Sequence, residues 1–129
     1  MKKITLLLVI IFTFLFSTTS WGEWELSSKN LNGTKFYYDK DRVRKSGKYF
    51  YFWELVNYSN TEDGIFSTTL YVQLDCSIFR NKYLKRQNYK NWMGEGEMIS
   101  DMTPPDEWEY PKPNTSGETL YNKICEEHQ

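Results

Sequence analysis

Two cysteines and one histidine are the residues most able to do chemistry in this chain of 129 residues. Cys76 and Cys125 could form a disulfide, act as reactive thiols or share a metal ion. The chain has no CxxC motif, and two cysteines alone make a poor zinc site. We therefore expect a Cys76–Cys125 disulfide, which an oxidising compartment would favour. His128 is the only histidine and lies next to the last residue, so histidine-centred catalysis is not expected.

Carboxylates are plentiful, but their spacing indicates neither a catalytic pair nor a calcium loop. Asp39, Asp41 and Asp63 could together bind calcium, although no EF-hand pattern is present. We interpret Asp39 as a turn residue whose side-chain oxygen caps a nearby amide. The chain also contains no Ser-His-Asp set, glycine-rich phosphate loop or nucleophile elbow. The sequence therefore predicts no enzyme activity, no metal site and no cofactor.

Aromatic side chains make up 18% of the chain and supply the first candidate partner-binding residues. Trp and Tyr rings provide interface area at little entropic cost. A small core also needs rings, and we expect it to take Phe36, Phe50, Phe52, Trp53 and Phe66. Three other rings lie in a proline-rich stretch, where they could contact a partner or fasten the stretch to the core. These are Trp92, Trp108 and Tyr110.

Basic side chains cluster between positions 80 and 90. They could bind the anionic groups of glycans or lipids, or simply form a charged edge strand that discourages strand pairing. The stretch from 95 to 109 is acidic and could attract a basic partner, although a solvated loop is the simpler interpretation. The formal net charge of −1 gives no long-range attraction to nucleic acid. The candidate partner-binding cations are Arg80, Lys82, Lys85 and Arg86.

The first 22 residues have the pattern of a secretory signal peptide. Lys2 and Lys3 precede an apolar run at residues 6–16, which is shorter than the roughly 20 residues needed to span a bilayer. We expect residues 1–22 to be removed and residues 23–129 to form one exported domain. No transmembrane segment is expected to remain after cleavage.

Period-two alternation predicts a sheet in the mature chain. The alternation is clearest from Phe66 to Cys76 and places Cys76 on the buried face. The segment from Lys48 to Tyr58 is apolar on both faces, which is typical of a central strand. Further strands are expected at residues 23–28, 34–38 and 79–89, the last as a sheet edge.

The C-terminal part of the chain predicts an irregular excursion followed by a helix. Residues 91–113 contain four prolines and two glycines and read as a long surface loop. Thr115 and Glu118 match a capping box, which predicts that a helix begins there. One face of this helix carries Leu120, Tyr121, Ile124 and Cys125 toward the sheet.

This order of elements resembles the surface-adhesin protein E family of small exported bacterial domains. The residues that carry the resemblance are Trp24, Phe36 to Asp39, Val43 to Gly47, Trp53, Tyr71 to Cys76, Trp108, Pro113 to Ser116 and Leu120 to Cys125. The resemblance implies an α+β fold, with an antiparallel sheet of about five to six strands. It also implies that the disulfide between Cys76 and Cys125 fastens the C-terminal helix to the sheet.

The resemblance further implies a non-catalytic binding domain whose partner is a protein, such as a host matrix or serum glycoprotein. The adhesin that gives the family its name is lipid-anchored, whereas no cysteine follows the apolar run here. A periplasmic or secreted protein is therefore expected, with surface display as an alternative. A second hypothesis is a periplasmic accessory module, an inhibitor or chaperone-like protein that binds an envelope protein. The sequence leaves the oligomeric state open.

Overall fold

A computed structural model describes residues 23–128, which form seven antiparallel strands and one α-helix. The expected α+β class is confirmed, with the helix at the C-terminal end. The predicted signal peptide, residues 1–22, lies outside the described residues. The elements are β1 (Trp24–Lys29), β2 (Lys35–Asp39), β3 (Arg44–Ser46), β4 (Tyr49–Asn57), β5 (Ser67–Asp75), β6 (Arg80–Tyr89), β7 (Met98–Met102) and α1 (Ser116–Glu127).

The strands lie in the order β1-β2-β4-β5-β6-β7, and the short β3 pairs with the same edge of β4 as β2. β4 and β5 pair over their whole length, from Tyr49 opposite Asp75 to Asn57 opposite Ser67. Paired side chains point to the same side of a sheet, and successive ones alternate between sides. This register divides the central strands into two faces.

We name the two faces by what covers them. On the helix-covered face, β4 and β5 carry Phe50, Phe52, Glu54, Val56, Thr68, Leu70, Val72 and Leu74. On the other side, the open face, they carry Tyr49, Tyr51, Trp53, Leu55, Asn57, Ser67, Thr69, Tyr71, Gln73 and Asp75.

Helix α1 buries its apolar side against the helix-covered face. Leu120, Tyr121 and Ile124 are almost completely buried there, in one cluster with the phenylalanines and aliphatic side chains of β4 and β5. The predicted cap is present, except that the Glu118 carboxylate binds the amide before Thr115 rather than that of Thr115 itself. The Thr115 hydroxyl accepts a hydrogen bond from the Glu118 amide at 3.3 Å, and the Glu118 carboxylate accepts one from the Asn114 amide at 3.2 Å. Among residues 23–128, no helix is long and apolar enough to cross a membrane.

The expected disulfide joins Cys76, directly after β5, to Cys125 in α1, with 5.8 Å between the two Cα atoms. The alternation along β5 places Cys76 on the side of the sheet that faces α1, and the helical spacing places Cys125 on the side of α1 that faces the sheet. The bond closes a loop across a sequence separation of 49 residues, which contains β6, β7 and most of α1. A loop of that length stabilises the fold by about 4 kcal/mol in the chain-entropy model.

Two expectations about strands are wrong. β6 is not a sheet edge, because it pairs with β5 on one side and with β7 on the other, and Asn81 also pairs with Glu109. The excursion at 91–113 is not wholly irregular, because it contains β7. β7 pairs through its backbone and leaves Met98 and Met102 exposed, so its sequence carries no clear alternation between buried and polar positions.

Candidate functional site

Three of the four cations proposed as partner-binding residues form ion pairs, two of them with acidic residues of the excursion. Lys82 lies 2.7 Å from Asp106, and Lys85 lies 3.4 Å from Asp101. Lys90 repeats this arrangement with Glu97 at 3.1 Å. Lys82, Lys85 and Lys90 are therefore neutralised by carboxylates of the acidic stretch, which chain folding brings to them.

Trp108 fastens the excursion to one end of the open face. Its ring packs on Tyr49 with 5.5 Å between centroids, beneath the Arg80 guanidinium at 4.2 Å and the Lys82 ammonium at 4.5 Å. Arg80 also pairs with Asp75 at 3.1 Å. The side chains of Arg80 and Lys82 are only 20% and 17% exposed. The structure thus brings three of the candidate residues together, in a packed junction with little free surface.

Trp92 fastens the other end of the excursion. It packs edge-on against Phe66 at 4.8 Å, and its indole N–H donates to the Tyr58 carbonyl at 3.1 Å. The adjacent turn, Trp92–Gly94, is held by Ser67, whose hydroxyl donates to the Asn91 carbonyl and accepts from the Gly94 amide. This turn covers Leu55 and Thr69 on the open face.

The remaining two candidates are Tyr110 and Arg86. Tyr110 is 62% exposed, but it lies close enough to Arg80 of the Trp108 junction to help raise the pKa of that guanidinium. Arg86 pairs with Leu70 in the sheet register, so it lies on the helix-covered side. The seven candidate residues therefore do not form one continuous surface.

Between the two junctions, the open face carries a central aromatic cluster formed by Tyr51, Trp53 and Tyr71. The rings of Trp53 and Tyr71 are 5.0 Å apart, and those of Tyr51 and Tyr71 are 6.2 Å apart. Arg44 donates to the Tyr71 hydroxyl at 3.1 Å, with its guanidinium 5.6 Å from the Tyr51 ring. Gln73 donates to the Tyr51 hydroxyl at 3.2 Å. The three rings are half-buried, so one side of the cluster remains accessible.

The expectation that Trp53 fills the core is wrong, because Trp53 lies on the open face and is only partly buried. Phe66 is also only partly buried, and it packs on Trp92 rather than in the core cluster. The alternation of side chains along β4 could have predicted the position of Trp53. Phe50 and Phe52 occupy one side of β4, so Tyr51 and Trp53 must occupy the other. The single predicted helix could cover only one of these sides.

A groove opens beside Trp53 where the edge of β4 is interrupted. β2 pairs with β4 only as far as Glu54, and β3 begins its pairing at Tyr51. The chain crosses this gap through a short 3₁₀ turn, Lys40–Arg42. The groove has a volume of about 230 Å³ and is lined by Trp24, Asp39, Arg42, Trp53, Thr69, Gln87, Tyr89, Met93 and Gly94. A wider depression next to it shares Arg42 and Trp53 and extends to Tyr71.

Asp39 begins the 3₁₀ turn, as expected of a turn residue, but its side chain makes no capping hydrogen bond. The carboxylate is 5% exposed, with Oδ2 lying 3.6 Å from Nε of Arg42. Its Oδ1 is buried and makes no hydrogen bond to any of residues 23–128. Burial raises the pKa of the Asp39 carboxyl, while the charge of Arg42 and the nearby backbone amide of Asp41 oppose this effect.

A second unusual carboxylate, Glu54, lies on the helix-covered face, away from the groove. It is buried beneath α1, and burial raises its pKa to about 7, while a hydrogen bond from Tyr121 opposes the shift. The Tyr121 hydroxyl lies 3.3 Å from that of Tyr83. No group of three His, Cys, Asp or Glu side chains within residues 23–128 is arranged to hold a metal ion.

Comparison with known proteins relates this fold to one family. A family model described as surface-adhesin protein E matches residues 24–126. The structure is similar to that of selenomethionine protein E from Haemophilus influenzae, with 18% identity, a TM-score of 0.59 and coverage of 86% of this chain and 91% of that chain. Crystal form II gives 18% identity, a TM-score of 0.60 and coverage of 85% and 91%. Protein E from non-typeable Haemophilus influenzae has 18% identity and a TM-score of 0.56, and the match covers 85% of this chain and 79% of that chain. A search of curated protein sequences found no match.

Proposed function

Because the chain belongs to the surface-adhesin protein E family, we propose that it is an exported, non-catalytic domain that binds a protein partner through its open face. The partner class that fits the family is a host matrix or serum glycoprotein. Membership in an adhesin family suggests binding rather than catalysis.

The observation that carries this proposal is the central aromatic cluster. Tyr, Trp and Arg are the residues most enriched among those that dominate binding energy at protein interfaces. Tyr51, Trp53 and Tyr71 stand side by side on a rigid sheet, and Arg44 lies against them. Hydrogen bonds from Arg44 and Gln73 hold two of the rings in place, so a partner would meet a preorganised surface.

The test is a binding measurement with matched tyrosine variants. The signal-cleaved protein is presented to immobilised matrix and serum glycoproteins, and the affinity for any that bind is compared across variants. Tyr71→Ala should weaken binding about ten-fold or more, because truncating a central aromatic residue at an interface costs about 2 kcal/mol. Tyr110→Ala makes the same chemical change at a more exposed ring outside the cluster and should leave affinity within about two-fold.

Two results would refute this assignment. If no matrix or serum glycoprotein binds the folded protein at micromolar concentration, the proposed partner class is wrong. If Tyr110→Ala reduces affinity as much as Tyr71→Ala does, the binding surface lies on the excursion rather than on the open face.

The location of the protein separates adhesion from the second hypothesis, a periplasmic inhibitor or chaperone-like module. An adhesin must reach the outside of the cell, so protease added to intact cells should degrade it. Protection until osmotic shock releases the periplasm would favour the accessory module instead. The proposed signal peptide at residues 1–22 is tested in the same material by the N-terminal sequence, which should begin near Glu23.

A further inference from the structure

The groove beside Trp53 contains a buried carboxylate whose hydrogen bonding is incomplete. Asp39 lines this groove, and its buried Oδ1 makes no hydrogen bond within the described part of the chain. Buried polar atoms in folded proteins nearly always have a partner, so an exception at the wall of a groove indicates a place for an incoming donor. The side chain is 5% exposed, so little solvent reaches this carboxylate.

The one cation that pairs with Asp39 among the described residues is weakly held. Arg42 approaches only Oδ2, at 3.6 Å from its Nε, and its side chain is 60% exposed. At 3.6 Å this contact is too long for a hydrogen bond, and the Arg42 side chain is solvated although the Asp39 carboxylate is buried. Arg42 therefore balances the charge of Asp39 but leaves its Oδ1 without a hydrogen bond. A cation from outside the protein could displace Arg42.

The walls of the groove suit the stem and head of a basic side chain. Trp24 and Trp53 line it together with Met93, which the turn at 92–94 holds in a left-handed backbone conformation, with φ of 63°. Indole faces attract ammonium and guanidinium groups, and apolar walls accommodate the methylene stem of Lys or Arg. The volume of about 230 Å³ far exceeds the roughly 30 Å³ that one water occupies in the liquid.

We propose that this groove binds a lysine or arginine side chain of the protein partner. The cationic head donates to Oδ1 of Asp39 and takes the place of Arg42 at Oδ2, while the stem lies along Trp24 and Trp53. An anionic group would meet the buried carboxylate and be repelled. The inference rests on the proposed use of the open face for binding, because the groove and the central aromatic cluster share Trp53.

The test uses a minimal probe, Nα-acetyl-L-lysine amide, added to the signal-cleaved protein. Its matched control is Nα-acetyl-L-norleucine amide, which has the same apolar stem without the ammonium. The readout is the pair of indole N–H resonances of Trp24 and Trp53 in ¹H–¹⁵N spectra. We expect saturable shifts of these two signals with the lysine probe, and much smaller shifts with norleucine.

Three variants sharpen the test. Asp39→Asn keeps the shape of the carboxylate and should weaken the lysine probe about ten-fold or more, because a charge-assisted hydrogen bond is lost. Glu126→Gln removes an exposed carboxylate from α1, on the helix-covered side of the sheet, and should leave the affinity unchanged. Arg42→Gln should strengthen binding about three-fold, since the resident cation no longer competes. A groove residue with a merely structural role would not produce this gain.

Equal shifts with norleucine, no saturable shift with lysine, or weaker binding by Arg42→Gln would each overturn the proposal. If Asp39→Asn does not fold, the norleucine comparison and the Arg42→Gln affinity still decide it. The two proposals fail separately. A protein that binds a glycoprotein through Tyr71 but ignores the lysine probe has an open-face interface without the cation pocket. One that binds the probe but no glycoprotein has the pocket without the proposed function.

Discussion

Phe52 and Tyr51 are neighbours on β4, yet they belong to two regions of the molecule with different physical roles. Phe52 lies on the helix-covered face, where it is fully buried and packs edge-on against Tyr121 of α1. Tyr51 lies on the open face, where it is half-buried and accepts a hydrogen bond from Gln73. One described helix can cover only one side of the sheet. The covered side therefore supplies most of the stability, while the rings of the other side stay partly exposed.

The largest expected effect is the difference between truncating these two neighbours. Phe52→Ala should lower the free energy of unfolding by about 3–5 kcal/mol, because it opens a cavity in a packed core. Tyr51→Ala should cost about 1 kcal/mol, since the ring is partly solvated and its loss leaves no enclosed cavity. Denaturant unfolding of both variants measures the difference. Similar losses would mean that both faces contribute equally to stability, and the comparison would fail.

The second largest effect is expected from removing the disulfide that fastens α1 to the helix-covered face. Cys76→Ser and Cys125→Ser should each lower the free energy of unfolding by about 2–5 kcal/mol, and by similar amounts, because each removes the same bond. Thermal unfolding with and without reductant provides the measurement. Reductant should lower the midpoint of the wild-type protein and leave both variants unaffected. An unchanged midpoint in either serine variant would contradict the assignment.

The buried carboxylate of the helix-covered face predicts how stability depends on pH. In the folded protein the pKa of Glu54 is raised to about 7, above the usual value of 4.5. The folded state therefore binds the proton more tightly than the unfolded state does. The stabilisation is fully present below about pH 4.5 and is lost as the pH rises toward 7, by about 3 kcal/mol in all.

Glu54→Gln, which is neutral at every pH, should flatten this slope when unfolding is followed between pH 4.5 and 7. Asp101→Asn changes an exposed carboxylate at the other face and should leave the slope as it is. A slope that survives in Glu54→Gln would assign the pH dependence to other groups.

The helix-covered face could be predicted from the sequence because its signals are local. Alternation from Phe66 to Cys76 and the helical spacing of Leu120, Tyr121 and Ile124 each identify a buried side without knowledge of the other. The two cysteines then fit between them. The strand β7 could not be predicted in this way, because backbone pairing with β6 leaves no pattern in its side chains.

The open face could be predicted only in part, because its main features depend on distant segments. The pairing of Lys82 with Asp106 joins a strand to a loop, and no spacing in the sequence indicates it. The groove exists because β2 ends and β3 begins at different points along β4, which is a property of the register. The sequence identifies Asp39 as a residue of a type common in turns. Only the folded chain shows that one of its carboxylate oxygens has no hydrogen-bond partner among the described residues.

The covalent ring closed by Cys76 and Cys125 passes around the β7 margin of the sheet. Its sulfur–sulfur bond lies with α1 on one side, whereas Trp92 and Trp108, which belong to the same ring, are anchored on the other. Oxidation therefore lowers the conformational entropy that the unfolded chain has in the segments of both surfaces, in a single step. Without the bond, the unfolded chain gains conformations in the segments of both surfaces, so the two surfaces would lose stability together.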